Sequence, residues 1–338
     1  MHNATAEEFK ALLSTPQNVV ITTHYKPDAD ALGSSLALSA FLQKLNHTVT
    51  VITPSDYPSF LNWIDGQDKV LIYNSVNETV INEKFANADI IFCLDFSALS
   101  RINEMEPLVA ASKAKKVLID HHLNPESFAD YNFHNNQAAA TAELIYDFIH
   151  LLDKQELLDK NIAESIYAGI VTDTGSFRFP TTTSKVHRII AHLLELGADN
   201  FKIHSLIYDS NSELRVKFLG FALSQKLTIL HEFNTAFFSI TASELEDYHS
   251  QTGDTEGLVN YGLSIENIKF AAVLIEREDG VKISFRSIGD FAANEFAATH
   301  FEGGGHKNAS GGKSKLSLDE SVKKFISLLP IYKESLTN

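Results

Sequence analysis

Three short apolar runs in this chain each end on a residue that binds metals or moves protons. Val19-Val20-Ile21-Thr22-Thr23 runs into His24, Ala88 to Leu94 runs into Asp95, and Lys116 to Ile119 runs into Asp120-His121-His122. Runs of this length, rich in β-branched residues and without polar alternation, are the pattern of strands buried on both faces. Helical stretches separate them, beginning with one predicted from Ala31 to Leu45. Strands and helices that alternate up to about residue 200 predict an α/β fold around a doubly wound, mostly parallel sheet. In such sheets ligands gather at the carboxyl ends of the strands, so clusters far apart in sequence can share one crevice.

The polar residues at these ends form a coherent donor set. After His24 the loop carries Asp28 and Asp30, with Gly33, Ser34 and Ser35 expected to let the next helix start close to the strand. A fourth cluster follows a helix whose apolar positions Ala163, Ile166, Tyr167, Ile170 and Val171 have helical spacing, and it places Asp173 just before Gly175. Imidazole and carboxylate together suit divalent ions of the Mn²⁺ type. Two such ions about 3.5–4 Å apart can clamp both oxygens of a phosphoryl displacement. Any one of these aspartates alone reads as a turn former or helix N-cap, and a lone histidine as a solvated side chain. Their joint occurrence at element ends favours the metal reading.

These residues resemble the DHH phosphoesterase superfamily, named for the triplet seen here as Asp120-His121-His122. The run Gly303-Gly304-Gly305-His306-Lys307-Asn308-Ala309-Ser310-Gly311-Gly312 is similar to the glycine-rich signature of the DHH-associated C-terminal domain. The subfamily it looks like is the stand-alone nanoRNase type. That resemblance implies that His24, Asp28 and Asp95 hold one ion, and that Asp30, Asp95, His121 and Asp173 hold the other, with Asp95 as the bridge. It further implies two Mn²⁺ ions, with Mg²⁺ or Co²⁺ as substitutes. His122 would face the substrate phosphate, Asp120 would orient the histidines, and a water between the ions would attack phosphorus.

Glycines let a backbone approach a ligand and present N–H groups to an anion, so Gly304, Gly305 and His306 are expected in a nucleotide-binding loop. Arg286 ends a strand predicted over Val281–Ser287, joined to Ile268–Glu276 by a turn with Asp279-Gly280. Its planar fork suits phosphate, and the resemblance places a corresponding arginine against substrate; a surface ion pair is the bland alternative. Arg101, at a helix start where a cation is mildly disfavoured, is either a phosphate contact or an exposed arginine. Arg178 reads as structural.

Composition bounds the partners. The 28 Lys and Arg against 43 Asp and Glu leave a net charge of −15. Long duplexes are held through many basic contacts, so this balance points to short RNA oligonucleotides or small nucleotides instead. No stretch is apolar enough for a membrane span, Met1–Lys10 lacks a secretory apolar core, and the single Cys93 allows no internal disulfide. A cytoplasmic protein is expected, with a homodimer left open.

The domains expected are a catalytic one over 1–200, a helical connector over 201–226, and an α+β substrate-binding domain over 227–338, with the substrate cleft between the two. The leading expectation is an Mn²⁺-dependent phosphodiesterase that degrades short oligoribonucleotides to mononucleotides, with phosphatase action on 3′-phosphoadenosine 5′-phosphate (PAP). The alternative is a cyclic di-AMP or pApA phosphodiesterase, which would use the same ligands. A pyrophosphatase is disfavoured by the glycine signature, a long-DNA exonuclease by length, and a non-catalytic DHH scaffold by the presence of every ligand.

Overall fold

A computed structural model describes residues 3–337; Met1, part of the N-terminal stretch judged non-secretory, lies outside them. The chain divides into two compact units, 1–210 and 211–338. The stretch 201–226 is shared between them: the helix Asn200–Tyr208 falls in the first unit and Glu213–Phe221 in the second.

In the first unit six strands, β1 (Asn18–Thr23), β2 (Thr48–Thr53), β3 (Leu71–Ile72), β4 (Ile90–Leu94), β5 (Lys115–Asp120) and β6 (Tyr131–His134), form one sheet in the order β3-β2-β1-β4-β5-β6. Every pairing is parallel. The order reverses between β1 and β4, and an open sheet binds its ligands at that switch point. Adjacent residues of β4 feed different cores: Ile90, Phe92 and Leu94 join the larger cluster, Ile91 and Cys93 the smaller one on the opposite face. Continuous apolar runs are therefore required of these strands, which is why they were legible. The polar-flanked β2, the two-residue β3 and β6 were not.

Register aligns the strand ends. Thr23 pairs with Leu94 and Leu94 with Ile119, so the next residues, His24, Asp95 and Asp120, emerge at one level from three neighbouring strands.

Among the described residues eight α-helices belong to this unit, of which three shape the site: α1 (Ala29–Lys44), α2 (Thr141–Leu151) and α3 (Lys160–Asp173). Asp28 caps α1 through Oδ1, which accepts from the backbone of Asp30 and Ala31 at 3.0 Å each. The glycine on α1 serves a helix contact rather than the strand approach expected of it: a Cβ on Gly33 would lie 2.5 Å from the carbonyl oxygen of Ser165 on α3. Gly169 on α3 is equally confined, since its Cβ would meet the Ala142 Cβ at 2.6 Å and Asp30 Oδ1 at 2.7 Å. Side-chain-free positions thus let three helices converge on Asp30.

The second unit is one mixed sheet, β7 (Leu227–Leu230), β8 (Thr235–Ile240), β9 (Phe270–Arg277), β10 (Gly280–Ser287), β11 (Gly304–His306) and β12 (Ala309–Ser314), in the order β11-β12-β10-β9-β8-β7. Only β8 and β9 are parallel neighbours. One face packs on an aromatic core of Phe270, Phe285, Phe296, Phe301 and Phe325. The other, through Ala271, Val273 and Ile275, packs against Phe218, Leu245 and Leu258.

The glycine run corrects an expectation. It is a β-hairpin, β11 to β12, rather than a loop. Packing demands it: a Cβ on Gly303 would sit 2.2 Å from the Gly311 oxygen, and one on Gly312 would sit 2.8 Å from the Phe301 oxygen. Gly305, at φ +137°, has a backbone conformation that L side chains rarely adopt.

Gly33→Ala should lower unfolding free energy by about 1–3 kcal/mol in urea titrations, because the blocking atom is backbone. Gly220→Ala, where a Cβ meets nothing within 4 Å in a helix, should be neutral or stabilising by up to about 1 kcal/mol.

Candidate metal centre

His24 follows β1 and is buried. Its Nδ1 lies 3.0 Å from the carbonyl oxygen of Tyr25. A carbonyl only accepts, so Nδ1 carries the proton and the Nε2 lone pair faces the site. Tyr25 is in turn anchored by its N–H, which donates to the Arg101 carbonyl at 2.8 Å. His24 Nε2 stands 3.5 Å from Asp95 Oδ2 and 3.9 Å from Asp28 Oδ2. Asp28 therefore caps α1 with one oxygen and faces the histidine with the other.

Asp95 has φ +63°, a left-handed conformation costly for a residue with a Cβ. Its N–H still donates to the Ile119 carbonyl at 3.1 Å. Its Oδ1 accepts from the Thr141 hydroxyl at 2.9 Å and lies 3.5 Å from His121 Nε2 and 3.6 Å from His122 Nδ1. The two oxygens of one carboxylate thus address two different histidine groups.

His121 repeats the device of His24, with Nδ1 3.2 Å from the Ala138 carbonyl and Nε2 turned toward three carboxylates. Those are Asp173 at 3.4 Å, Asp95 at 3.5 Å and Asp30 at 3.8 Å. Asp30, fully buried, accepts from the backbone N–H of Thr141 at 2.7 Å and of Ala142 at 2.8 Å, the first two residues of α2. Its charge is set against the positive end of that helix. His122 donates from Nδ1 to Asp120 Oδ1 at 2.8 Å. Asp120 is fully buried, so it fixes the ring and leaves Nε2 as the outward nitrogen.

The donor set fits divalent metal ions on two grounds. Separations of 3.4–3.9 Å exceed ordinary hydrogen bonds, yet they suit neighbouring ligands that share an ion at about 2.0–2.2 Å from each. Charge is the second ground. Asp28, Asp30, Asp95 and Asp173 make no ion pair with lysine or arginine among the described residues; their only charged partners are His24, His121 and His122. Burial, and then the negative charges of Asp95 and Asp173, push the Asp30 carboxyl well above its ordinary range. Burial would push Asp95 up as well, but the imidazoles of His121 and His24 hold it well below the ordinary range. The site is short of positive charge.

Arg101 sits inside a 3₁₀ run, Leu99–Met105, rather than at a helix start; its side chain is exposed, and its charge opposes protonation of His24. In the second unit Arg286 donates from Nη1 to the Phe285 carbonyl at 2.9 Å. It pairs across the strands with Ala309, which pairs with His306, so Arg286 and His306 share one sheet face with a single small residue between them. Gly304 belongs to the same face, whereas Gly305 alternates to the other. The sequence reading missed Thr141, which binds Asp95 and Asp30 together, and Gly169, which makes room for Asp30. A threonine after three alanines carries no local signal for this role.

A family model for the DHH family, N-terminal domain, matches residues 18–170, and one for the DHHA1 domain matches 238–330. The bifunctional oligoribonuclease and PAP phosphatase NrnA of Thermus thermophilus is 30% identical over 94% of this chain and 90% of its own length. The chain belongs to the DHH family. A crystal structure of an exopolyphosphatase-related protein from Bacteroides fragilis superposes with a TM-score of 0.93 at 38% identity, covering 98% of this chain and 97% of that one. The cyclic-di-AMP phosphodiesterase PdeA of Listeria monocytogenes is 25% identical over 97% of this chain and 49% of its own length. The Asp-His-His triplet that names the DHH family lies where β5 ends, and the matched DHHA1 segment contains Arg286 and the glycine hairpin.

Thr141→Val keeps the backbone donor to Asp30 and removes the hydroxyl from Asp95. Isothermal titration with Mn²⁺ should show affinity weakened about 10-fold, the lower end of what such supporting bonds contribute, with the circular dichroism spectrum unchanged.

Proposed function

We propose that this protein is a Mn²⁺-dependent phosphodiesterase that degrades short oligoribonucleotides to mononucleotides and also removes phosphate from PAP. The observation that carries the chemistry is the Asp95 carboxylate, one oxygen toward His24 and the other toward His121, at the switch point of a parallel sheet. Support for the substrate class comes from the Thermus thermophilus relative, whose name states both activities and whose length this chain nearly matches.

In this reading His24, Asp28 and Asp95 hold one ion, and Asp30, Asp95, His121 and Asp173 the other. Ions held there would supply Lewis-acid charge to the phosphoryl oxygens and would lower the pKa of a bound water toward neutral pH. The remaining work belongs to the chain itself. Backbone carbonyls at Tyr25 and Ala138 fix the tautomers of His24 and His121, so that Nε2 of each is the ligating atom. Asp120 holds the His122 ring, and once the outward nitrogen is protonated it donates to a phosphate oxygen while the buried carboxylate balances the charge. Burial of Asp30, Asp95 and His121 keeps bulk water from competing for the same atoms. Arg286, Gly304 and His306 bind the nucleotide on the face they share, and Arg101 meets phosphate beside His24.

A second reading, hydrolysis of cyclic di-AMP or pApA, draws on the likeness to PdeA and would use the same ligands. It ranks lower because that likeness is weaker, 25% identity against 30% for the Thermus thermophilus relative.

Initial rates with Mn²⁺ on dinucleotide and longer RNA, PAP, pApA, cyclic di-AMP and linear polyphosphate test the assignment. Dinucleotide RNA and PAP should be turned over fastest; preference for cyclic di-AMP or polyphosphate would overturn it. Asp95→Asn and His121→Ala should each lower kcat by a factor of at least about 10³, a loss of roughly 4 kcal/mol in transition-state stabilisation, with thermal unfolding still cooperative.

A further inference from the structure

The face of the second sheet that carries Arg286 and His306 does not end with them. Side chains alternate along a strand and cross-strand partners share a face. The row after His306–Ala309–Arg286 is therefore Gly304–Gly311–Ser284, and the row beyond it is Lys313–Lys282. The opposite face of β10, formed by Val281, Ile283 and Phe285, is buried.

The Lys282–Lys313 row is unusual. Like charges placed directly opposite in an antiparallel pair destabilise it, and acidic residues are plentiful in this chain. Lys313 stands 3.8 Å from Asp279, with side chains 67% and 77% exposed; such a pair contributes little. Between the two cationic rows the floor is open. A Cβ on Gly304 would meet nothing within 4 Å, and one on Gly311 only the Ile283 oxygen at 3.6 Å. Neither glycine is required by packing or by a positive φ, in contrast to Gly303, Gly305 and Gly312. Arg286 lies four positions along the strand from Lys282, which is about 14 Å. One row further, Arg277 borders a cavity that is also lined by Glu246, Glu276 and Glu278. Cationic ground gives way there to acidic ground.

We propose that Lys282 and Lys313 form a second phosphate-binding row, so that this face is a short anion track that holds a nucleic-acid backbone beyond the nucleotide bound at Arg286 and His306. The proposal rests on the oligonucleotide reading given above. Exposed lysines act as point charges without base readout, so the row binds any sequence. The acidic groove closes the track and limits its reach to a few nucleotides.

Binding of fluorescent RNA to the full chain, followed by anisotropy in EDTA so that nothing is hydrolysed, tests this apart from catalysis. Affinity should tighten from dinucleotide to pentanucleotide and change less than twofold from pentanucleotide to decanucleotide. For the pentanucleotide, the slope of log affinity against log salt should become shallower by about 1.4 in Lys282→Gln/Lys313→Gln, about 0.7 for each lost single-strand contact. Dinucleotide binding should stay within twofold. An unchanged slope, an equal loss on the dinucleotide, or tightening that continues to the decanucleotide would overturn the track. A lysine-dependent slope in a protein that hydrolyses no RNA would leave the track standing and defeat the oligoribonuclease reading instead.

Discussion

Four carboxylates confined to one small volume is the constraint on which the rest of the first unit depends. Asp30 and Asp95 are almost wholly removed from solvent, and burying an unpaired carboxylate is among the most expensive arrangements a protein can hold. The fold spreads that cost. Asp30 receives two backbone N–H groups at the start of α2, Asp28 receives two at the start of α1, and Asp95 takes the Thr141 hydroxyl. What these bonds leave unbalanced is the charge a pair of divalent cations would bring.

The same bonds dissolve the opposition between capping and ligation. Asp28 is an N-cap and also a neighbour of His24, because a carboxylate has two oxygens and the helix needs only one. Asp30 caps a different helix, more than a hundred residues away in sequence, and this fixes α2 against α1. Loss of Asp30 would therefore disturb helix packing as well as the donor set, whereas Asp173, partly exposed at the end of α3, caps no helix of another segment among the described residues.

Strand ends were readable because a strand buried on both faces must be continuously apolar, so the first charged residue after it marks the crevice. Helix convergence was not readable. Gly33 and Gly169 matter through atoms on other helices, Ser165 O and Asp30 Oδ1, and no local pattern encodes such a contact. Thr141 was silent for the same reason. The glycine run misled in a different way: glycines suggest a loop on conformational grounds, but here three of them are demanded by close backbone contact or by φ inside a hairpin, and pairing register is invisible without the partner strand.

Register also changes the meaning of the acidic composition. A net charge of −15 describes the whole surface, whereas a substrate meets one face, and β10 and β12 place Lys282, Arg286 and Lys313 on the same side. An acidic body with a short cationic strip repels a long polyanion over most of its surface and attracts one only where the strip lies, since interactions beyond about a Debye length of 8 Å are screened at physiological salt. A short oligonucleotide escapes most of the repulsion; a long one must lay its remaining phosphates along acidic ground. The length preference proposed for this chain would then need no steric gate, because the distribution of charge around a strip of about 14 Å would already set the scale.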